Sequence, residues 1–273
     1  MASDLDFCVA LFVPANRPER FAKAAAARPD AVILDLEDAV PADAKAPARA
    51  GLRRDFTELP VIVRVNGAGT PWHDADLAAV ARLAPTAVML PKVERGEQLD
   101  AAAAVLGPSI PIVALVETAA GLAAARAVAS HPAVGRLAFG SVDFCADLGC
   151  AHEREPLLPA RMELVLASRL AGCTPPLDGV TTDIRDPALA QQDAQHARAL
   201  GFRGKLAIHP HQIAAIREGF RPSAAEIAWA EAVLASGDGA QSVGGAMVDE
   251  PVRKRARAIL AWRGSPARRR DGM

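Results

Sequence analysis

Residues 31–40 read AVILDLEDAV, and the fold turns on how that stretch is read. Val32, Ile33 and Leu34 belong on the dry side of a sheet. Asp35, Glu37 and Asp38 follow at once. An unpaired buried charge costs roughly several kcal/mol, so the strand must end where basic partners, a cation or water meet the acids. Strand side chains alternate between faces. Asp35 and Glu37 therefore share a face with Ile33, whereas Val32, Leu34 and Leu36 share the other. The wholly apolar face is expected to meet helices, and the acids to point into an open mouth.

Similar apolar runs recur outward from this stretch. They are CVALFVPA (8–15), VIVRVNG (61–67), AVMLPKV (87–93), PIVALVET (111–118), RLAFGSVDF (136–144), LDGVTTD (177–183) and KLAIHP (205–210). Alanine-rich segments of helical pattern lie between them, such as DADLAAVARLA and TAAGLAAARAVAS. Alternating strands and helices predict a parallel sheet. Eight such units predict an α/β fold, a TIM (β/α)8 barrel. The rival is an open doubly wound sheet, but no glycine-rich phosphate turn follows the first strand.

The chain has 273 residues, 51% of them hydrophobic, which is enough for a large core. Its net charge of −1 gives no general attraction to nucleic acid or to a membrane surface. No apolar run reaches the ~18 residues of a membrane span, and the acidic start MASDLDFC lacks the basic region of a signal peptide. Cys8, Cys145, Cys150 and Cys173 have no zinc-like spacing, which suggests reduced thiols in a cytoplasmic protein.

The predicted barrel domain spans 1–221, and 222–273 form a C-terminal helical extension. SAAEIAWAEAVLAS (223–236) begins with a Ser cap and a Glu three residues on. A glycine-rich linker (237–247) precedes a second helix, DEPVRKRARAILAW (249–262), and a solvated tail follows. The basic runs RKRAR and RRR fit a solvated surface better than a polyanion site.

Barrel active sites lie at the carboxyl ends of the strands. The sequence places there Glu37 and Asp38, Arg64 and Asn66, Lys92 and Glu94, Glu117, Ser141 and Asp143, Asp183, and His209. Glu117 and Asp143 would end neighbouring strands, about 4.8 Å apart. A Mg2+ or Mn2+ ion between them relieves their repulsion, as these hard ions take oxygen ligands. Salt bridges from Arg64 and Lys92 would do the same, and the spacing leaves both readings open. Glu37 suits a second layer around metal-bound water, and Asp38 suits a bridge to Lys45 or Arg49. Asp183 also fits a turn cap, and His209 a hydrogen-bonded structural role. Asn16, Arg17, Arg20 and Lys23 form a basic cluster after the first strand, suited to phosphate or to a solvated helix face.

The segments LFVPANRPERFAKA, AVILDLEDAV, VRVN, VMLPKVE, ALVETAAGL, LAFGSVDFCADLG, DGVTTDIRD, GKLAIHP and MVDEPV occur in this order. Together they resemble the citrate lyase beta-subunit-like family of the HpcH/HpaI aldolase superfamily, in register from about residue 10 to 262. The resemblance implies a TIM barrel assembled as a trimer or hexamer. It also implies Mg2+-dependent cleavage or formation of a carbon–carbon bond in acyl thioesters, with a CoA thioester as substrate. Carried over, Glu117 and Asp143 look like the metal ligands, Arg64 the residue that steadies an oxyanion, and Glu37 the second-layer acid. Asp249 of MVDEPV resembles an acid that enters a neighbouring subunit's site. Asn16, Arg17, Arg20 and Lys23 are the candidate contacts for CoA phosphates. Ala15 and Ala120 depart from the pattern, standing where relatives often carry Gly and many carry Arg. The expected reaction cleaves a 3-hydroxy-3-carboxy acyl-CoA, such as malyl-CoA or citramalyl-CoA, to acetyl-CoA and a 2-oxo acid. The alternatives are the lyase chain of a citrate lyase complex acting on a carrier-protein thioester, a free 2-oxo acid aldolase, and a non-catalytic barrel.

Overall fold

The computed structural model describes residues 5–237, 241–243 and 246–262. Eight parallel strands close in chain order, β1 pairing with both β2 and β8. They are β1 (Val9–Pro14), β2 (Ala31–Asp35), β3 (Val61–Arg64), β4 (Ala87–Leu90), β5 (Ile112–Val116), β6 (Val134–Phe139), β7 (Thr174–Asp178) and β8 (Gly204–Ala207). The barrel reading therefore holds, and the doubly wound alternative does not.

Helices fill the intervals: α1 (Phe21–Ala26), α2 (Lys45–Ala50), α3 (His73–Leu83), α4 (Gly96–Leu106), α5 (Ala119–Ala123) and α6 (Ala125–Ala129). Then come α7 (Ser141–Leu148), α8 (Arg154–Ala171), α9 (Pro187–Leu200) and α10 (Gln212–Phe220). Alanine suits them twice over: it is the best helix former, and its small side chain lets helices lie close on the sheet. Among the described residues, no helix is long and apolar enough to cross a membrane. All four cysteines are free.

Side-chain alternation decides what fills the barrel. Ala10, Ala31, Ile33, Ile62, Ala87, Met89, Val113, Leu115, Ala138, Leu177 and Leu206 form one buried cluster. Each large apolar member contributes about 1.5–3 kcal/mol by leaving water. Asp35, Arg64 and Glu117 continue the inward register of Ile33, Ile62 and Leu115, at the carboxyl ends. Arg136, fully buried on β6, closes the opposite end. Its guanidinium donates to the carbonyls of Phe7 at 2.8 Å and Pro175 at 2.7 Å and to that of Leu5, and lies over the Phe7 ring. Burial lowers its pKa to about 10.

Two outward positions make a second buried polar group. Asp178 meets Arg161 of α8 at 2.8 Å and Lys205 of β8 at 3.1 Å. Their positive charges outweigh the cost of burial and hold the carboxyl below its usual range. The solvent side of α8 carries Leu158, Met162, Leu166 and Leu170, all exposed and spaced four apart.

The chain divides into compact units 1–220 and 221–273. The second holds α11 (Ala224–Ala235) and α12 (Glu250–Trp262), packed through Ala230, Val233, Val248 and Ala256. Ser223 and Glu226 form the expected capping box. Within the expected glycine linker, β9 (Gln241–Val243) pairs antiparallel with β10 (Ala246–Val248). Residues 238–240 and 244–245 of that linker, and the tail from 263, lie outside the described residues.

Candidate active site

The carboxyl ends of the strands surround a cavity of about 400 Å3. Phe12, Leu115 and Leu206 are among its apolar lining, and Asp35, Asp38, Arg64, Glu117 and Asp143 are its charged residues.

Arg64 is the best-anchored group. Its Nε and Nη2 donate to the two oxygens of Asp35, each at 2.7 Å. Asp35 and Arg64 are register partners on β2 and β3, so the sheet itself brings them together. Asp35 also accepts from the backbone N–H of Glu37 at 2.9 Å and of Ala39 at 3.2 Å, folding the LED turn back over the strand end. The Nη1 of Arg64 lies 3.0 Å from Glu37 and 3.3 Å from Asp38, and the guanidinium stacks 4.9 Å from the Phe12 ring. Burial works against its charge, but Asp35 outweighs it, with Glu37 and Asp38, and holds the pKa above its ordinary value. The expected partners of Asp38 are otherwise engaged. Lys45 donates to the carbonyls of Leu36 and Glu37, and Arg49 pairs with Asp76.

Glu117 follows β5 and is 2% exposed. Its Oε1 accepts from the backbone N–H of Lys92 at 2.9 Å. Gly140 follows the neighbouring β6 and makes the room: a Cβ there would stand 2.4 Å from both the Cβ and Oε2 of Glu117. Burial first, then the charge of Glu37, pushes the Glu117 carboxyl up to about 8; Asp143 adds to this and Lys92 opposes it. Burial likewise raises Glu37, against the pull of Arg64. The Oε2 of Glu37 is buried without a hydrogen bond, despite its ion-pair distance to Arg64.

Asp143 corrects one expectation. It does not end a strand: β6 stops at Phe139, and Asp143 stands in the first turn of α7. The residue of β6 that joins the barrel's inner cluster near its end is Ala138. The helix turn nevertheless brings Asp143 to the same cavity as Glu117. No side chain caps α7, and Gly140, Ser141, Val142 and Asp143 all line the cavity. Its first backbone N–H groups thus open on the site with the positive end of the helix dipole. Ser141 is held by His152, whose Nε2 is 2.9 Å from its Oγ.

Lys92 joins the acids. Its Nζ is 3.0 Å from Glu37, 3.5 Å from Asp143 and 3.9 Å from Glu117. Among the described residues, no three His, Cys, Asp or Glu side chains gather closely enough to form a complete metal cage. The residues present fit a hard divalent ion that takes part of its shell from water or substrate. They offer two oxygen donors across one cavity, an excess of negative charge, and a buried carboxylate oxygen lacking a hydrogen bond.

Other candidates stand apart from this chemistry. Asp183 lies beyond the end of β7 and caps the turn, accepting from Arg185 and Asp186; Asp178 is what ends that strand. His209 follows β8, accepts from the backbone of His211, and sits beside the His211 ring. Asn66 is bound by Asp76, and Glu94 by Thr118. Asn16, Arg17, Arg20 and Lys23 follow the carboxyl end of β1; Arg17 pairs with Glu19, and Arg20 and Lys23 are exposed. Asp249 caps α12 through Val252 in the second unit. The sequence reading pointed Asp35 into the mouth and placed Lys92 at a strand end as a salt-bridge partner, without naming Asp35 as the anchor of Arg64, and it left Gly140 out of the site. The shared face of Asp35 and Ile33 was the signal for the first.

Residues 9–210 match the family HpcH/HpaI aldolase/citrate lyase. A citrate lyase subunit beta-like protein of Deinococcus radiodurans is 41% identical, covering 92% of this chain and 95% of that protein. A (3S)-malyl-CoA thioesterase of Cereibacter sphaeroides is 35% identical (93% and 96% covered), and human mitochondrial citramalyl-CoA lyase 32% (90% and 82%). The crystal structure of CitE from Mycobacterium tuberculosis with magnesium, acetoacetate and coenzyme A superposes with a TM-score of 0.87. It is 39% identical, covering 97% of this chain and 100% of that one. The chain belongs to the HpcH/HpaI aldolase/citrate lyase family.

Proposed function

We propose that this family member is a Mg2+-dependent lyase that cleaves a 3-hydroxy-3-carboxy acyl-CoA, such as malyl-CoA or citramalyl-CoA, to acetyl-CoA and a 2-oxo acid. The observation that carries it is a single cavity bounded by Glu117, Asp143 and an Arg64 locked in place by Asp35. Relatives named for CoA thioesters, and a close structural neighbour holding magnesium and coenzyme A, support the reading.

Glu117 and Asp143 hold the ion, with Mn2+ an acceptable substitute, and Glu37 orders its water. A bound Mg2+ supplies Lewis acidity to the substrate's hydroxyl and carboxylate oxygens. The open N-terminus of α7 receives the carboxylate. The bond between the hydroxyl-bearing carbon and the thioester's alpha carbon breaks as the hydroxyl passes its proton, through ordered water, to Glu37; the bonding pair is left as an enolate on the acetyl thioester. Arg64 stabilises the oxyanion, an effect typically worth about 3 kcal/mol. Asp249 of a neighbouring subunit protonates the alpha carbon. Asn16, Arg17, Arg20 and Lys23 hold the CoA phosphates.

This role for Asp249 requires an oligomer, for which we propose a homotrimer. The exposed apolar row on α8 supports self-association. Free cysteines fit a cytoplasmic setting.

The test is incubation of the pure protein with Mg2+ and malyl-, citramalyl-, 3-hydroxy-3-methylglutaryl- and citryl-CoA, following acetyl-CoA and 2-oxo acid, with an EDTA control. Cleavage of one thioester that stops with EDTA is the expected result. No cleavage of any, with Mg2+ still bound, refutes the CoA reading and directs the search to a carrier-protein thioester.

A further inference from the structure

Lys92 acts on the acid cluster with both its backbone and its side chain. Its N–H fixes one carboxylate oxygen of Glu117, and its ammonium reaches Glu37, Asp143 and Glu117. It does so from φ +51°, a left-handed conformation that glycine takes freely and a lysine does not. A strained position occupied by a long cation points to work for the side chain.

We propose that Lys92 is a tethered counter-cation, which occupies the space between Glu117 and Asp143 and yields it when a divalent ion binds. The inference rests on Glu117 and Asp143 being the metal ligands. Three distances carry it. The ammonium is anchored on Glu37 at 3.0 Å and reaches Asp143 and Glu117 only at 3.5 and 3.9 Å. It can therefore release the two ligands without losing its anchor. Its side chain is 44% exposed, on a flexible four-carbon stem, so space for the swing exists. Asp35, Glu37, Asp38, Glu117 and Asp143 outnumber Arg64 and Lys92, so without Lys92 the cluster would face Arg64 alone. Lys92 is thus a positioning residue, and it opposes metal entry.

Mn2+ titration of the full chain without substrate, read by the loss of the free-ion magnetic resonance signal, tests this. Lys92→Met and Lys92→Gly should bind Mn2+ about tenfold tighter than the parent, the scale expected on removing one like charge beside a divalent ion in a wet site. Lys92→Arg should match the parent. Mg2+ should also raise the melting temperature of Lys92→Met more than that of the parent. If Lys92→Met does not melt cooperatively, Lys92→Gly, which relieves the backbone strain, carries the comparison. Binding that is unchanged or weaker in the neutral variants overturns the exchange while leaving the metal site standing. No Mn2+ binding by any protein at millimolar concentration overturns the metal site, and the exchange with it.

Discussion

Replacing Asp35 by Asn should disable the enzyme without touching any proposed metal ligand. The carboxylate makes two hydrogen bonds to Arg64, both at 2.7 Å, and Asp35 is 1% exposed. Bonds to a charged partner contribute about 1.5–3 kcal/mol each, and breaking a buried ion pair costs about 3–5 kcal/mol. Asn keeps one acceptor oxygen, and Arg64 retains Glu37 at 3.0 Å and Asp38 at 3.3 Å. The lower end, about 3 kcal/mol, is therefore expected. At about 2–4 °C per kcal/mol for a domain this large, the melting temperature should fall by roughly 6–12 °C. The guanidinium should lean toward Glu37, and a displacement of about 1 Å costs on the order of a hundredfold in rate. The assay is thioester cleavage at a temperature below the variant's own unfolding transition, set by a thermal melt. Activity within threefold of the parent, with the melt lowered as expected, would show that the pair serves stability alone and that Asp35 does not aim Arg64.

Gly140→Ala places a methyl 2.4 Å from the Glu117 carboxylate; Mn2+ binding should weaken at least tenfold, by calorimetry, in a protein that still melts cooperatively. Asp249→Asn keeps an N-cap acceptor but removes the acid, so kcat should fall more than tenfold with little change in melting. Co-expression with Arg64→Ala should restore activity if the acid serves a neighbour's site. Asp178→Asn should cost about 3–5 kcal/mol in urea unfolding, because Arg161 and Lys205 lose their buried counter-charge. The Asp178 carboxyl titrates below its unfolded value of 3.8, so its contribution is complete above that pH and is lost as pH falls through the folded pKa. The variant's stability should accordingly lack that part of the acid-side slope. Leu166→Glu on the exposed row of α8 should lower the sedimentation coefficient if that row joins copies of the chain.

The sequence by itself determined the barrel, because eight apolar runs separated by alanine-rich helical pattern have few other solutions. Strand alternation was enough to send Asp35 inward, since a period of two is a local property of the backbone. Strand ends were less legible. The LDGVTTD run suggested a strand to Asp183, but β7 is TPPLD and stops at Asp178, where Arg161 and Lys205 meet it. Asp143 carried no strand signal of its own, because a helix had begun at Ser141. Only the tertiary structure decided which charges pair. Asp38 turned to Arg64 rather than to Lys45 or Arg49, and Lys92 came among Glu37, Glu117 and Asp143. Those partners are 25 to 55 residues distant in the chain for Lys92. Such pairings depend on barrel closure and on the space left by Gly140, which no local pattern encodes.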